Sequence, residues 1–514
     1  MSESLSPNTA GKTGIAQLLE SLGQHEQAET ILNPATGKPS HSLPQFDAGE
    51  VAAAALTARA AQLEWAGTSV RERAGVLLGL HDLMIKHQSK LLDLLQFETG
   101  KSRSAAFEDF AGALNSARHY GKIAPKILGL KRVRSGAPTM VINYVDHPPV
   151  GLVGVITPWN YPLALTGLDV LPALVAGNSV LHKIDNQTAL TALYLRNLAL
   201  EAGLPDDVWN IVVGDGAEVG NAVTDSVDYV AFTGSTATGR LVAKRAADRL
   251  IGFSLELGGK NPMIVLPKAK LKQAARIAVA GAVGNTGQLC VAIERVYVAN
   301  EKREAFVELL AKNVQQLKIG RDANFATDMG SLASENQLKR VSGMLADAVA
   351  KGAQLIGGNA LPEVGPFFIS PAIVTNIPTD AALDRAEVFG PVIQVYGYDS
   401  VDEAVALAND TEFGLNASVV GPVAQALGVA RQLQAGSVNI NEGFRASFAS
   451  MDSPMGGVKH SGFGRRNGNY GLLRFTEPKA IGVAQGILKL PMRGADYQRA
   501  AKLLVILSKV LRRL

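Results

Sequence analysis

Hydrophobic and polar positions change rhythm along this chain, and the changes divide it. Across residues 51 to about 95 apolar residues recur at helical spacing, in Ala-rich and Leu-rich faces interrupted by Arg71, Glu72 and Arg73. A second helical stretch covers about residues 104–123. The first 27 residues, rich in Ser, Gln and Gly, hold no sustained period and are expected to form an arm ahead of a strand near Ile31 and Leu32. Residues 133–145 alternate around Ser135, Gly136, Ala137 and Pro138, which predicts a two-stranded hairpin.

From Pro149 onward short apolar runs alternate with helical spans. Residues 150–157, 179–182, 209–213 and 228–232 read as buried strands, and a second set follows Glu256 at 262–266, 294–298, 372–374, 392–398, 417–420 and 437–440. Strands separated by helices of this length imply βαβ units and parallel sheets, since a parallel connection needs a long crossover. The expected fold class is α/β, in two lobes joined near Glu256. No internal repeat or low-complexity block interrupts them.

At 514 residues the chain has room for about three domains. Hydrophobic residues make up 47% and charged residues 19%, and no run of 18 apolar residues occurs, which favours a packed core over a membrane span. The net charge of +4 is local. Residues 493–514 carry six basic residues and one acidic, and the rest of the chain carries 44 against 45, so no nucleic-acid partner is expected. In that tail Tyr497, Ala500, Ala501, Leu504, Leu507 and Leu511 fall at helical spacing among Arg499, Lys502, Lys509, Arg512 and Arg513. An amphipathic helix is expected there. Because Leu503 and Ile506 widen its apolar face, packing on its own subunit or on a partner is favoured over membrane association.

The chain has one cysteine, Cys290, which excludes an internal disulfide, and Met1, Ser2, Glu3 and Ser4 lack the basic start of a signal peptide. A cytoplasmic location is expected. No H-E-x-x-H, C-x-x-C or calcium-loop pattern occurs, so no metal site is expected.

Four segments could carry chemistry. Residues 227–239 run from a strand through Phe232, Thr233, Gly234, Ser235 and Thr236 into a helix, where unpaired N–H groups and the dipole suit a phosphate. An ordinary capped turn would look the same. Cys290 follows Asn285, Thr286, Gly287, Gln288 and Leu289, a turn-favouring stretch that suits a presented thiol better than a buried one. Glu256 lies between Leu255 and Leu257, ahead of Gly258, Gly259 and Lys260; such a carboxylate is either used or ion-paired, with Lys260 the nearest partner. Asn160 ends an apolar strand after Thr157, Pro158 and Trp159, where its amide can point into a cleft. Gly214-Asp215-Gly216 with Gly220 misses the dinucleotide spacing, and Gly100-Lys101-Ser102 lacks the first glycine of a P-loop. The eight histidines are scattered, and only His182 borders a motif.

In combination these segments resemble the aldehyde dehydrogenase superfamily. The likeness runs from Asn33-Pro34-Ala35-Thr36-Gly37 to about Lys479, and its motifs also include Glu387-Val388-Phe389-Gly390-Pro391 and Ser461-Gly462-Phe463-Gly464-Arg465. The resemblance implies two Rossmann-like α/β lobes with a β-flap for oligomerisation. Residues 1–132 and 151–256 would bind the cofactor, 257–460 would form the catalytic domain, and 133–150 with 480–490 the flap, in a homodimer or homotetramer. It implies that Cys290 attacks an aldehyde, that Asn160 and the Cys290 N–H hold the oxyanion, and that Glu256 activates water on the thioester. Trp159, Gly234 and Ser235 would lie near the pyrophosphate and adenosine, Lys183 and Glu387 on the riboses, and Phe389 by the nicotinamide.

The chain departs from the family in two places. The usual Lys-Pro-Ser-Glu reads Lys183-Ile184-Asp185-Asn186, and loss of that glutamate favours NADP over NAD. Residues 252–256, Leu289-Cys290-Val291 and the basic tail are similar to bacterial enzymes called succinate-semialdehyde dehydrogenases. Those enzymes place arginines where this chain has Leu168 and Gly284, which leaves Arg445 as the cation nearest the expected pocket. Aromatic and medium-chain aliphatic aldehydes are the alternative substrates. A coenzyme A-acylating or phosphorylating relative would lack Glu256, and a non-catalytic structural descendant would have no need of Cys290, Glu256 and Asn160 together.

Overall fold

The computed structural model describes residues 12–136, 141–485 and 493–512. Its framework is two sheets. The first has the order Gly462–Phe463, Gly252–Glu256, Tyr229–Thr233, Leu152–Thr157, Ser179–Ile184, Trp209–Val212, and all but Gly462–Phe463 run parallel. The second has the order Gln354–Gly357, Ala372–Thr375, Val392–Tyr398, Ile293–Ala299, Asn261–Val265, Asn416–Val420, Ser437–Ile440, with only Gln354–Gly357 antiparallel. Every residue of Leu152–Thr157 and Ile293–Ala299 is buried, which explains why the strands read as apolar runs and not as alternations. Helix Pro162–Ala176 is buried at every position, wedged between the first sheet and helix Arg103–Ile127.

The motifs singled out in the sequence sit where the sheets face each other. Asn160, Ser235 and Glu256 follow the carboxyl ends of first-sheet strands, the edge at which open α/β sheets bind ligands. Cys290, Glu387 and Phe389 immediately precede second-sheet strands. After the second sheet the chain returns to pair Gly462 with Glu256 and Phe463 with Leu255, tying the lobes together at strand Gly252–Glu256.

Several expectations need correction. The arm contains a helix, Lys12–Glu20, whose Leu18 joins the core together with Leu22 beyond it; Ile15, Leu18, Leu19 and Leu22 carry the helical spacing. The strand at Ile31 begins at Gln27 and pairs antiparallel with Pro39–Gln45, whose two prolines and polar side chains disguise an edge strand. The helical stretch from 51 is three helices, Ala48–Gly67, Val70–Lys86 and Gln88–Thr99; Asp47 with Glu50, and Ser69 with Glu72, form capping boxes that start the first two.

The hairpin pairs Lys131–Val133 with Val141–Asp146, and Lys479–Ala484 adds a third antiparallel strand. Its turn residues Ala137 and Pro138, flap positions 486–490, residues 1–11 and Arg513 lie outside the described residues. The tail is a helix, Gly494–Leu511. Among its described side chains Tyr497, Leu504, Val505, Ile506 and Val510 are exposed, and Ala500 and Leu507 are half-buried. Among the described residues no helix is long and apolar enough to cross a membrane.

Candidate active site

One cavity of about 250 Å³ gathers Trp159, Asn160, Gly234, Ser235, Glu256, Cys290, Glu387 and Phe389. Lys183 and Asn186 stand apart from it, at the end of strand Ser179–Ile184. Arg445 lines a second cavity of about 200 Å³, which shares Tyr161, Leu289, Phe448 and Met455 with the first.

Cys290 is presented by a strained loop. Asn285, Thr286 and Gly287 hold positive φ of 49°, 57° and 71°, and a Cβ at Gly287 would lie 2.1 Å from the Gly390 carbonyl oxygen. The Asn261 amide donates to the Cys290 and Ala292 carbonyls, both at 2.7 Å, and fixes the far side of the loop. Burial, followed by the carboxylates of Glu256 and Glu387, pushes the thiol up to about 12, so the resting sulfur is protonated.

Asn160 Nδ2 donates to the Gln288 carbonyl at 3.1 Å, which leaves its second N–H uncommitted, and its Oδ1 has no partner. Its own carbonyl accepts from Lys101 Nζ at 2.8 Å and from Asn285 Nδ2 at 3.1 Å. Lys101 is fully buried, pairs with Asp109 at 2.8 Å and lies over the Tyr161 ring. Sequence reasoning set Lys101 aside with the P-loop fragment. Lys101 lies among Glu98, Thr99, Ser102 and Arg103, so its burial had no signal in the local sequence.

Glu256 is not paired with Lys260, which instead binds Glu294 Oε2 at 2.6 Å and the Ala386 carbonyl at 2.8 Å. Glu294 in turn accepts the Val388 and Phe389 N–H groups at 2.7 and 3.1 Å, so this buried pair sets the Glu387–Phe389 loop. Glu256 Oε1 has no partner, and burial raises its pKa to about 7, against the opposing pull of Arg466 and Arg474. Those arginines are occupied by Asp169: Arg466 through Nε at 2.8 Å and through Nη2, Arg474 through Nη2 at 2.5 Å. Asp169, Arg466 and Arg474 were missed because they are far apart in sequence and sit in no recognised motif.

The same cavity has features that suit the nicotinamide and phosphate parts of a dinucleotide. Helix Thr236–Asp248 points its amino end at the wall formed by Gly234 and Ser235, where Ser235 Oγ accepts from Thr238 N at 3.2 Å and first-turn N–H groups lack intrahelical partners. Phe389, at φ 57°, meets Trp159 edge-on with ring centroids 5.7 Å apart. Glu387 accepts the Gly259 N–H at 2.9 Å and is raised to about 7 by burial, then by Glu294.

At the remote end, burial pulls Lys183 below the ordinary lysine range, while Asp185, Asp215 and Glu29 oppose it. Asn186 is held on three sides: Nδ2 donates to Glu29 Oε2 at 2.6 Å and Gln45 Oε1 at 3.0 Å, and Oδ1 accepts from Gly214 N at 2.9 Å. Glu29 thus returns a carboxylate beside the position where the family's is missing. His182 is structural: its Nε2 meets Thr157 Oγ1 at 2.8 Å, and burial lowers it to about 3. Among the described residues no cluster of His, Cys, Asp or Glu could hold a metal.

A family model described as "Aldehyde dehydrogenase family" matches residues 22–481. The chain belongs to that family. A Mycolicibacterium smegmatis protein named "Putative succinate-semialdehyde dehydrogenase (NADP+)" is 46% identical over 89% of either chain. Among solved structures, an E. coli NADP-dependent enzyme superposes with TM-score 0.85 at 33% identity, covering 89% of this chain and 95% of its own. An NAD+ complex of a Bacillus cereus aldehyde dehydrogenase gives TM-score 0.85 at 34% identity, covering 89% and 94%.

In this aldehyde dehydrogenase the second cavity adjoins the one that holds Cys290. Leu168 lines it, and a Cβ at Gly284 would lie 3.4 Å from the Phe444 ring and 3.8 Å from Arg445 Nη2, so neither position supplies a cation. Arg445 does line the cavity, but its Nε donates to Glu108 Oε1 at 2.8 Å and its Nη1 lies 3.5 Å from Glu442 Oε1.

Proposed function

We propose that this aldehyde dehydrogenase oxidises an aldehyde to its carboxylic acid through a covalent thioester on Cys290. The observation that carries the reading is one buried cavity containing the thiol of Cys290, the unpartnered Glu256 Oε1 and the free N–H of Asn160. Sγ attacks the aldehyde carbon as its proton passes to solvent, directly or by way of Glu256, which is left ionised. The new oxyanion receives the spare Asn160 N–H and the Cys290 backbone N–H. Trp159, Gly234, Ser235, Lys183, Glu387 and Phe389 would hold NADP or NAD, which would supply a two-electron acceptor for oxidation of the thiohemiacetal to the thioester. Glu256 then removes a proton from water, hydroxide adds to the thioester, and the Cys290 thiolate leaves with release of the acid.

NADP is slightly favoured, on Asn186 and on the NADP+ in the name of the 46% identical relative. Glu29 makes the discrimination shallow, within about ten-fold, because its carboxylate repels a 2′-phosphate from nearby. The names of such relatives make succinate semialdehyde one substrate to assay, beside aromatic and medium-chain aldehydes. A homodimer or homotetramer through the flap fits exposed Val133, Ile481 and Val483 on its small sheet, and a cytoplasmic setting fits a catalytic thiol with no disulfide.

Initial rates for about ten aldehydes with NADP and NAD test the reading. Cys290→Ala is expected to abolish turnover while still binding cofactor in a fluorescence titration, and Asn186→Glu to move the preference toward NAD. Turnover that persists in Cys290→Ala would refute the covalent route.

A further inference from the structure

The second cavity has mostly apolar walls, in which Leu168, Phe444, Phe448 and Met451 face a single pair of opposite charges, Arg445 and Glu108. The guanidinium is already committed. Its Nε donates to Glu108 at 2.8 Å, Glu442 lies 3.5 Å from Nη1, and the Arg445 backbone N–H donates to Glu442 Oε2. Its flat face covers the Phe444 ring at 4.7 Å. One cation between two carboxylates gives this wall a net negative charge. A substrate carboxylate arriving here would have to displace Glu108 and then face Glu442, at a separation where like charges repel strongly. Arg118, bonded to Asn115 Oδ1 of the same wall at 3.0 Å, is exposed, and Arg466, next to the lining residue Asn467, is taken by Asp169. An uncharged acyl chain meets no such opposition and covers the apolar wall.

We infer that this enzyme selects uncharged, apolar aldehydes, and that Glu108, by holding Arg445, is the residue that excludes carboxylate-bearing ones. The inference rests on the aldehyde-oxidising reading of Cys290 and names its substrate class.

The test compares kcat/KM of the full-length enzyme for hexanal, benzaldehyde and succinate semialdehyde, in the wild type and in Glu108→Gln. The neutral aldehydes are expected to exceed succinate semialdehyde by about ten-fold or more, the scale of a missing charge-assisted contact. Glu108→Gln should raise succinate semialdehyde relative to hexanal by about three- to ten-fold, because the uncharged amide leaves Arg445 with one carboxylate in place of two. A wild-type preference for succinate semialdehyde, or an unchanged ratio in a Glu108→Gln protein that melts like the wild type, overturns the inference. A second readout does not depend on turnover. Hexanamide should protect Cys290, the chain's only thiol, from alkylation better than succinamate does. Equal or better protection by succinamate also overturns it. Absence of reduced cofactor with every aldehyde would instead strike the chemistry at Cys290, while the protection ratio still reports selectivity.

Discussion

Glu256 shows how one residue acquires its function from its surroundings. Two leucines and the strand from Gly462 remove its water, and no hydrogen-bond donor reaches Oε1, so its neutral form persists to about pH 7. Below that pH the group is protonated and cannot take a proton from water; above it the carboxylate is present. Deacylation is therefore expected to rise about ten-fold per pH unit up to about 7 and then level off. Glu256→Gln should lose that acid limb and slow steady-state turnover by about 10²-fold or more, while a first-turnover burst of reduced cofactor survives. Stopped-flow absorbance across pH 5.5–9 checks both; wild-type steady-state turnover in Glu256→Gln would remove Glu256 from the mechanism. The same carboxylate opposes folding once ionised. Its folded-state value lies above its unfolded one, so the stability it contributes is present below about pH 4.5 and lost as pH rises through 7.

At the scale of the element, the loop from Asn285 to Cys290 spends backbone strain to place a sulfur. Three successive residues at positive φ turn the chain between helix Leu271–Val283 and strand Ile293–Ala299, and only glycine fits the third. Gly287→Ala puts a methyl group into the Gly390 backbone, which belongs to the loop fixed by the Lys260–Glu294 pair and cannot yield cheaply. A stability loss of about 1–3 kcal/mol is expected, with a larger loss of kcat because Cys290 moves relative to Asn160. Calorimetry and hexanal kinetics on the variant decide; unchanged kcat at a lowered melting temperature would mean that the loop supports the fold and does not aim the thiol.

At the scale of the whole molecule, the tail helix Gly494–Leu511 and the three-stranded flap present apolar side chains that are exposed among the described residues. Exposed Tyr497, Leu504, Val505 and Ile506 fit a partner subunit better than solvent. Deleting residues 493–514 is expected to weaken assembly in sedimentation experiments and lower the melting temperature, with kcat per site retained. Unaltered assembly and melting, together with loss of vesicle binding that the full-length protein shows, would reassign the helix to a membrane surface.

The sequence by itself determined the parallel α/β architecture, because strands buried on both faces must be apolar runs and their crossovers must be helices. It also picked out Cys290, Glu256 and Asn160, since a thiol in a turn, a carboxylate between leucines and an amide at a strand end each break the local pattern. Only the tertiary structure could decide what these groups meet. Lys101 with Asp109, and Asp169 with Arg466 and Arg474, come together from distant segments, and burial turns their pairing into rigid support for Asn160 and Glu256. The sequence offered Lys260 as a partner for Glu256 and Arg445 as a substrate cation. The fold gave buried Lys260 to Glu294 and half-buried Arg445 to Glu108, because a charge goes to whichever opposite charge the packing brings nearest, not to its neighbour along the chain.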